Sequence, residues 1–385
     1  MAAAPRVLLA ITLYNGKDVV FQCLDSAARL SEQPGVDALV LDDASPAPGW
    51  SERVEAACAE RRIGYYRSPR NLGIPRNVNM GMLAAQRGGY DYVVICNSDI
   101  IMPANLIEQL VEVARTDPSI GSVTAFSNNV SVYSLPNTMP DRYLAEPGVA
   151  DWVSASLAGE FGHAAIDIPA GISFCMLVPT KVMATVGLMD PVFGRGYCEE
   201  TDWTQRSRAA GYRITLAPGV FAYHSGQGST TDAGLLSHGH TTVPANERII
   251  DLRYPMFRQQ VEAFVYSGIL QTLHRNAALR IIRDGARAYG YSLHLSWLHD
   301  LPGDSLVPRC ILRPEAHGSD LLLEFRGFSA VVPLAGRSAP EAIVEEMGGP
   351  PANIDVFDRG SALGPLQAAF GAAAVRDHYS YPERV

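Results

Sequence analysis

Long apolar runs, paired cysteines and an excess of positive charge are all missing from this chain of 385 residues. No apolar stretch reaches the ~20 residues that a membrane-spanning helix needs. The run at 7–11 is too short for a secretory signal and has no cleavage site after it. The six cysteines are scattered without a CxxC spacing, so they read as reduced, mostly buried thiols of a cytoplasmic protein rather than a disulfide framework. Lys and Arg total 31 against 40 Asp and Glu, and the net charge of −9 argues against nucleic acid as the main partner. An acidic protein that binds a polyanionic nucleotide needs a metal or local arginines as mediator. No GxGxxG follows the first strand-like run, so the dinucleotide-binding fingerprint is absent.

What is present is enough apolar sequence for a real core, 47% hydrophobic against 18% charged. The length implies two domains, or one large domain with an appendage. Buried-strand runs at 7–12, 38–41, 65–67, 92–96 and 120–126 alternate with helical patterns at about 18–30, 51–62, 76–87 and 106–114. Ser51 reads as the cap of the second helix. Strand, helix, strand, helix implies a parallel sheet covered by helices, a Rossmann-like layer. Residues 127–165 read as an irregular crossing, 174–178 and 220–223 as further strands, and 225–243, rich in Gly, Ser, Thr and His, as a mobile loop beside the site. Residues 256–273 form one amphipathic helix in this reading, and a second α/β unit follows residue 276, with a capping box at Ser338 and Glu341. Tyr381 to Val385 close the chain without a terminal element, the ending expected of a piece of a longer protein.

The chemistry gathers at strand ends. The stretch YVVICNSDIIMP, residues 92–103, is a buried strand that stops at Asn97-Ser98-Asp99. Ligands of open α/β sheets sit beyond the carboxyl ends of strands, where a carboxylate can hold a divalent cation. Asp99 suits that task, and His224, at another strand end, is a candidate nitrogen donor to the same ion. His238 and His240 fall in the Gly/Ser-rich loop and read as solvent-exposed. Asp42-Asp43 closes the second strand, placed to accept from a pyrimidine imide or ribose hydroxyls. A third acidic cluster, Glu199-Glu200-Asp202, opens a helix. Acids are favoured there by the helix dipole alone. That does not account for Arg195 between two glycines or for Trp203 after the cluster. On a helix Glu200 is turned about 100° from Glu199, so one acid can face a substrate hydroxyl, as general-base catalysis requires, while its neighbours pair or cap.

In this order the motifs resemble a family 2 glycosyltransferase of GT-A fold, of the bacterial cell-surface polysaccharide and rhamnosyltransferase type. The resemblance rests on Ile11-Thr12-Leu13-Tyr14-Asn15, Leu41-Asp42-Asp43-Ala44-Ser45, and Asn71-Leu72-Gly73 with Asn79 and Gly81. It continues through Asn97-Ser98-Asp99 at the DxD position, Gly171 to Val178 followed by Gly187 to Asp190, Glu199 to Trp203, and Gly211-Tyr212-Arg213. It covers about residues 6–230 and implies a GT-A domain over 1–255. The nucleotide-binding half would span about 1–126 and the acceptor half about 127–255, with a helical connection at 256–275 and an additional α/β unit at 276–385. It implies that Thr12, Tyr14, Asp42, Asp43, Arg76, Asn97 and Ser98 bind the nucleotide. Asp99 and His224 would bind Mn²⁺ or Mg²⁺, and Gly171, Arg195, Glu199, Asp202 and Trp203 would line the sugar and acceptor pocket. Glu200 would be the general base of an inverting single displacement from a UDP- or dTDP-sugar, dTDP-rhamnose being the first to try, to a glycan or glycolipid hydroxyl. This chain departs from the pattern at Asn97, where the first DxD acid stands, and at Glu200, one methylene longer than the usual Asp. It also lacks QxxRW, the mark of processive synthases, which favours transfer of one or a few sugars. The implied location is cytoplasmic, and peripheral contact with the inner membrane face is compatible with it. The competing readings are a non-catalytic nucleotide-sugar-binding scaffold for a partner enzyme, and a sugar nucleotidyltransferase. The latter would want a Gly-rich basic loop where Leu13-Tyr14-Asn15-Gly16-Lys17 stands.

Overall fold

The computed structural model describes residues 4–135, 146, 148–226, 236–237, 240–241, 243–297, 307–313, 320–358 and 360–378. These fall into two units, the first ending at Leu270 and the second beginning at Gln271. In the first, strand β1 (Val7–Leu13) has the sequence VLLAITL, which carries no charge and can be covered on both faces. It pairs in parallel with β2 (Val36–Asp42) on one side and β4 (Tyr92–Asn97) on the other. The chain runs outward from β1 to β2 and β3 (Gly64–Arg67), then returns to place β4 on the opposite side. That reversal opens a crevice at the carboxyl ends of β1 and β4, the place where sheets of this kind bind ligands.

Beyond β4 the sheet continues with β8 (Cys175–Pro179), β6 (Ile120–Phe126), β9 (Arg213–Phe221) and the short edge strand β7 (Ile166–Asp167). The sheet is therefore mostly parallel, with one internal departure: β8 runs antiparallel to both β4 and β6. Its start, after Phe174, consequently lies at the carboxyl end of β4, where the Asn97 amide donates to the Phe174 carbonyl at 2.9 Å. A two-residue ribbon, β5 (Ile100–Ile101) with β10 (Tyr223–His224), brings His224 opposite Ile100.

Helices cover both faces. Leu9 and Ile11 of β1 enter a cluster with Cys23 and Leu24 of α1 (Val19–Ser31), Val54 of α2 (Trp50–Glu60) and Leu110 of α4 (Leu106–Arg115). Leu8 and Ala10 face the other way. They pack with Val78 and Met82 of α3 (Ile74–Arg87), Val182 of α6 (Thr180–Val186) and Trp203 of α7 (Glu199–Ala209). Between them, at 127–165, lies a helix where irregular chain was expected: α5 (Val149–Phe161). Ser51 does not cap α2. Gly49, at φ 70°, begins that helix, and the Ser51 hydroxyl is used elsewhere.

Two further differences bear on the site. Helix α8 (Val243–Arg253) follows the loop expected at 225–243. In that loop β11 (Leu236–Ser237) and β12 (His240–Thr241) pair, and 227–235, 238, 239 and 242, including His238, lie outside the described residues. The helix expected over 256–273 is two helices, α9 (Phe257–Tyr266) and α10 (Ile269–Tyr289), separated at Gly268, whose φ of 81° suits a residue without a side chain.

The second unit has its own sheet, in the order β16 (Phe328–Pro333), β15 (Asp320–Phe325), β14 (Arg309–Leu312), β13 (Ser292–Leu295), β17 (Asn353–Val356) and β18 (Ala374–Asp377). It also contains α11 (Ala339–Met347), with the expected capping box of Ser338 and Glu341, and α12 (Leu363–Ala369).

Candidate active site

At the carboxyl edge of the first sheet, Leu13 stands opposite Asp42 and Thr12 opposite Asn97. Strands lie ~4.8 Å apart, so the ends of β2 and β4 flank a gap of roughly 10 Å around the end of β1. Thr12 Oγ1 donates to the Cys96 carbonyl at 3.2 Å, and Tyr14 is half-buried just past the strand.

Asp42 is fully buried and its oxygens are already taken. Oδ1 accepts from Ser45 N at 2.8 Å and Ser45 Oγ at 2.7 Å, and Oδ2 accepts from Ser51 Oγ at 2.6 Å and Tyr65 Oη at 2.7 Å. Arg67 Nε stands 3.8 Å away and donates to Ser51 Oγ. With all its contacts internal, Asp42 organises the loop after β2 rather than reaching a ligand. Asp43 plays a related part. Its carboxylate accepts from Leu72 N at 2.7 Å and Gly73 N at 2.9 Å. Burial raises its pKa, and these two amide bonds oppose the rise.

Gly73 then ties this loop to the acidic segment. It has φ 83°, and a Cβ there would strike the Gly194 carbonyl. The next amide, Ile74 N, donates to the Arg195 carbonyl at 3.1 Å. Arg76 is exposed on the first turn of α3, with Nη1 3.5 Å from the Leu72 carbonyl.

Across the gap, Asp99 Oδ1 lies 3.2 Å from His224 Nε2, and both side chains are largely buried. Asn97 Nδ2 is 3.3 Å from the same nitrogen, and Ser98 is buried between these two residues of the loop. The other ring nitrogen, Nδ1, faces the Asn129 carbonyl at 2.7 Å, an acceptor that fixes the proton on Nδ1. Asn128, next to it, accepts from His224 N at 2.8 Å and donates to the His224 carbonyl at 3.0 Å. Nε2 then faces both the Asn97 amide nitrogen and the Asp99 carboxylate oxygen. A ring nitrogen and a carboxylate oxygen approach stably only around a proton or a cation. Burial lowers the imidazole pKa, but the adjacent Asp99 carboxylate outweighs it and raises the net value.

The donor set fits a hard divalent ion. Metal–donor bonds near 2.1 Å put neighbouring ligands of an octahedral ion ~3 Å apart, close to the spacing here, and the Asn129 carbonyl is the outer-shell partner such a histidine needs. Among the described residues no three His, Cys, Asp or Glu side chains converge as a complete cage, so an ion held here would complete its shell from ligand oxygens or water.

The acid pair sits at the head of α7. It follows two non-glycine residues with left-handed backbone, Tyr197 at φ 68° and Cys198 at φ 74°. Such strain persists only where surroundings over-determine it. Glu199 Oε2 and Glu200 Oε2 are both buried without a hydrogen-bond partner. Desolvation raises both pKa values, Glu199 the more strongly because the neighbouring Glu200 charge adds to it; a hydrogen bond from Glu199 lowers that of Glu200. Burial thus disfavours the charged form of both acids, Glu199 the more strongly.

The remaining residues expected in the sugar pocket are placed differently. Asp202 is fully buried and accepts from Arg206 Nε at 2.8 Å, Arg253 Nη1 at 2.7 Å and Tyr254 Oη at 2.8 Å. Trp203 is also fully buried in the core, its Nε1 donating to the Gly187 carbonyl at 2.9 Å. Neither can line an open pocket. They anchor the helix that carries the acids, because positions three and four beyond Glu199 face inward. Gly171 is a packing position, where a Cβ would meet Met176 Sδ at 2.7 Å and Thr124 Oγ1 at 3.2 Å. Arg195 is exposed in the turn before α7.

Sequence reasoning missed Asn128 and Asn129 and the residues on and beside α8 that clamp this region. Arg253 bridges Asp190 at 2.9 Å and Asp202, and Asn246 reaches into the turn before α7. Pro244 ahead of the apolar Ile249, Ile250 and Leu252 was the available signal for that helix.

Residues 9–166 match the family model described as Glycosyl transferase family 2, less than half of the chain and ending before the acid pair. The match, on the stretch that builds the β1–β4 crevice, makes this protein a glycosyltransferase by class. No curated protein matches the sequence. Many solved structures align with it, and two serve as examples. One is the mannosyltransferase PcManGT from Pyrobaculum calidifontis in complex with GDP-Man and Mn²⁺, at TM-score 0.45 and 15% identity over 74% of this chain and 78% of that one. The other is GalNAc-T7 with UDP, GalNAc and Mn²⁺, at TM-score 0.48 and 12% identity over 67% of this chain and 50% of that one, so the chain spans half of that protein's length.

Proposed function

We propose that this protein is an inverting, divalent-metal-dependent glycosyltransferase. It moves a sugar from a UDP- or dTDP-sugar to a hydroxyl of a glycan or glycolipid acceptor, in the manner of the surface-polysaccharide and rhamnosyl enzymes its motifs resemble. The observation that carries this reading is the approach of Asp99 Oδ1 to His224 Nε2, at the carboxyl end of β4 beside the sheet's switch point. Asp99 and His224 hold the ion, Mn²⁺ or Mg²⁺. Bound there, such an ion supplies neutralising charge to a departing nucleoside diphosphate.

The protein's own residues do the rest. Asp43, through its grip on Leu72 and Gly73, shapes the wall on which base and ribose lie, with Thr12, Tyr14 and Arg76 around it. Asp42 holds that wall from behind. Glu200 takes the proton of the acceptor hydroxyl as its oxygen attacks the anomeric carbon from the face opposite the diphosphate, so the configuration inverts. Glu199 stands beside Glu200 with its charged form the more strongly disfavoured of the two, and burial keeps water from competing as acceptor.

Replacing Glu200 by Gln tests the base. Transfer is expected to fall at least ~100-fold, the scale of a general base, with nucleotide binding unchanged. Full turnover in Glu200→Gln contradicts the assignment. In the unaltered enzyme kcat/KM should fall on acidification with a midpoint above the ordinary glutamate value of 4.5, because the base must lose its proton and desolvation holds it.

A further inference from the structure

We infer that Asn246 of α8 is a positioning residue for catalysis: its side-chain amide locks the strained turn before α7 and so aims the Glu199–Glu200 pair. This rests on the glycosyltransferase reading. The amide Nδ2 donates to three backbone carbonyls of that turn, Phe193 at 3.0 Å, Gly196 at 2.7 Å and Tyr197 at 3.0 Å. Asn246 is buried to 7% exposure. Two N–H groups serving three carbonyls make one of the bonds shared, and only the nitrogen end of the amide can face such a set.

The turn needs a lock. Phe193 closes a single 3₁₀ turn begun by Pro191, Gly194 and Gly196 have φ of 61° and 139°, and Tyr197 and Cys198 follow in left-handed backbone without being glycine. Cys198 is also the residue from which α7 starts, with no side-chain cap of its own. The direction in which Glu199 and Glu200 leave the helix head is thus set by backbone that is unfavourable by itself. The three carbonyls turned toward Asn246 hold it, together with the Ile74 N bond to the Arg195 carbonyl. Arg253 and Tyr254 fix the next turn through Asp202, and Arg253 also pairs with Asp190 ahead of the 3₁₀ turn; Asn246 is the one of these that grips the backbone carbonyls of the turn itself.

Cys198 gives a readout independent of turnover. It is half-buried, whereas the other five cysteines are buried, so an aromatic disulfide reagent labels it first. Asn246→Ala and the isosteric Asn246→Asp should both speed its labelling at least ~10-fold, and both should lower kcat by roughly 10- to 100-fold while donor KM stays within about 2-fold, the signature of misplaced catalytic groups. In a Cys198→Gly background, where glycine adopts the left-handed backbone freely, Asn246→Ala should cost less than ~3-fold in kcat. Unchanged labelling in both variants overturns the lock, as does wild-type behaviour of Asn246→Asp, which would leave only side-chain volume at work. Faster labelling with kcat unchanged, or an equal kcat loss in both backgrounds, overturns the positioning role. An unaltered protein with no turnover on any nucleotide sugar overturns the glycosyltransferase reading instead, and the labelling rates still decide the lock.

Discussion

Asp42 and Glu199 are both buried carboxylates, yet their surroundings drive them to opposite tasks. Asp42 has four donors on its two oxygens and is held fast inside the loop after β2. Glu199 has an oxygen without a partner and a like charge beside it. Its folded pKa lies above the unfolded value of about 4.5, so the native state binds more protons than the unfolded chain as pH rises from there. Stability is therefore lost as pH rises through that window, and the full cost is present once the pair is driven to ionise. Glu199→Gln should raise the unfolding free energy at pH 7.5 and have little effect at pH 4, measured by urea denaturation. A variant less stable at both pH values would contradict the desolvated-pair account. The identity of these residues was legible in the sequence, but their division of labour was not. Asp42's partners lie 3, 9 and 23 residues away, and no local pattern announces that a strand-end acid is saturated rather than open.

At the scale of elements, the strand ends were readable because buried runs stop at polar residues, whereas the close passage of backbone by backbone at Gly73 was not. Gly73→Ala would both force an alanine into φ 83° and drive its Cβ into the Gly194 carbonyl. It should destabilise by about 1–3 kcal/mol and weaken nucleotide binding together; a loss below about 0.5 kcal/mol by urea denaturation would mean the two loops are not in contact. Helix α8 had a local signal in Pro244, but its role was not readable, since that is fixed by partners some fifty residues earlier, Asp190, Gly196 and Asp202. Its clamp has a measurable strength. Tyr254→Phe removes one hydrogen bond to the buried Asp202 carboxylate and should cost about 1.5–3 kcal/mol, with Arg206 and Arg253 still in place. An unfolding free energy unchanged within about 0.5 kcal/mol would show that Asp202 does not depend on the clamp.

For the molecule as a whole, the alternation of strands and helices led correctly to a mostly parallel sheet with a second α/β unit. The antiparallel β8 could not be foreseen, because its direction depends on where α5 returns the chain. Each unit has a buried core of its own, around Leu9, Ile11 and Val94 in the first and around Leu293, Leu323, Phe325 and Ile354 in the second. No helix among the described residues is long and apolar enough to cross a membrane. The residues proposed to shape the nucleotide site and hold its ion, Asp43, Asp99 and His224, all belong to the first unit. In scanning calorimetry, a nucleoside diphosphate with Mn²⁺ should therefore raise only the transition of that unit, as a ligand stabilises the fold that binds it. Equal shifts of both transitions would contradict a site confined to the first unit.

The central claim is that Asp99 and His224 hold a divalent ion that in turn holds a nucleoside diphosphate. The most direct test is a calorimetric titration of UDP, dTDP and GDP with and without Mn²⁺, repeated on His224→Ala. The account predicts tight binding of a pyrimidine diphosphate that requires the ion and weakens at least ~10-fold in the variant, the scale of a lost metal ligand or its support. Binding of the same strength without Mn²⁺, or unaffected by His224→Ala, would contradict it.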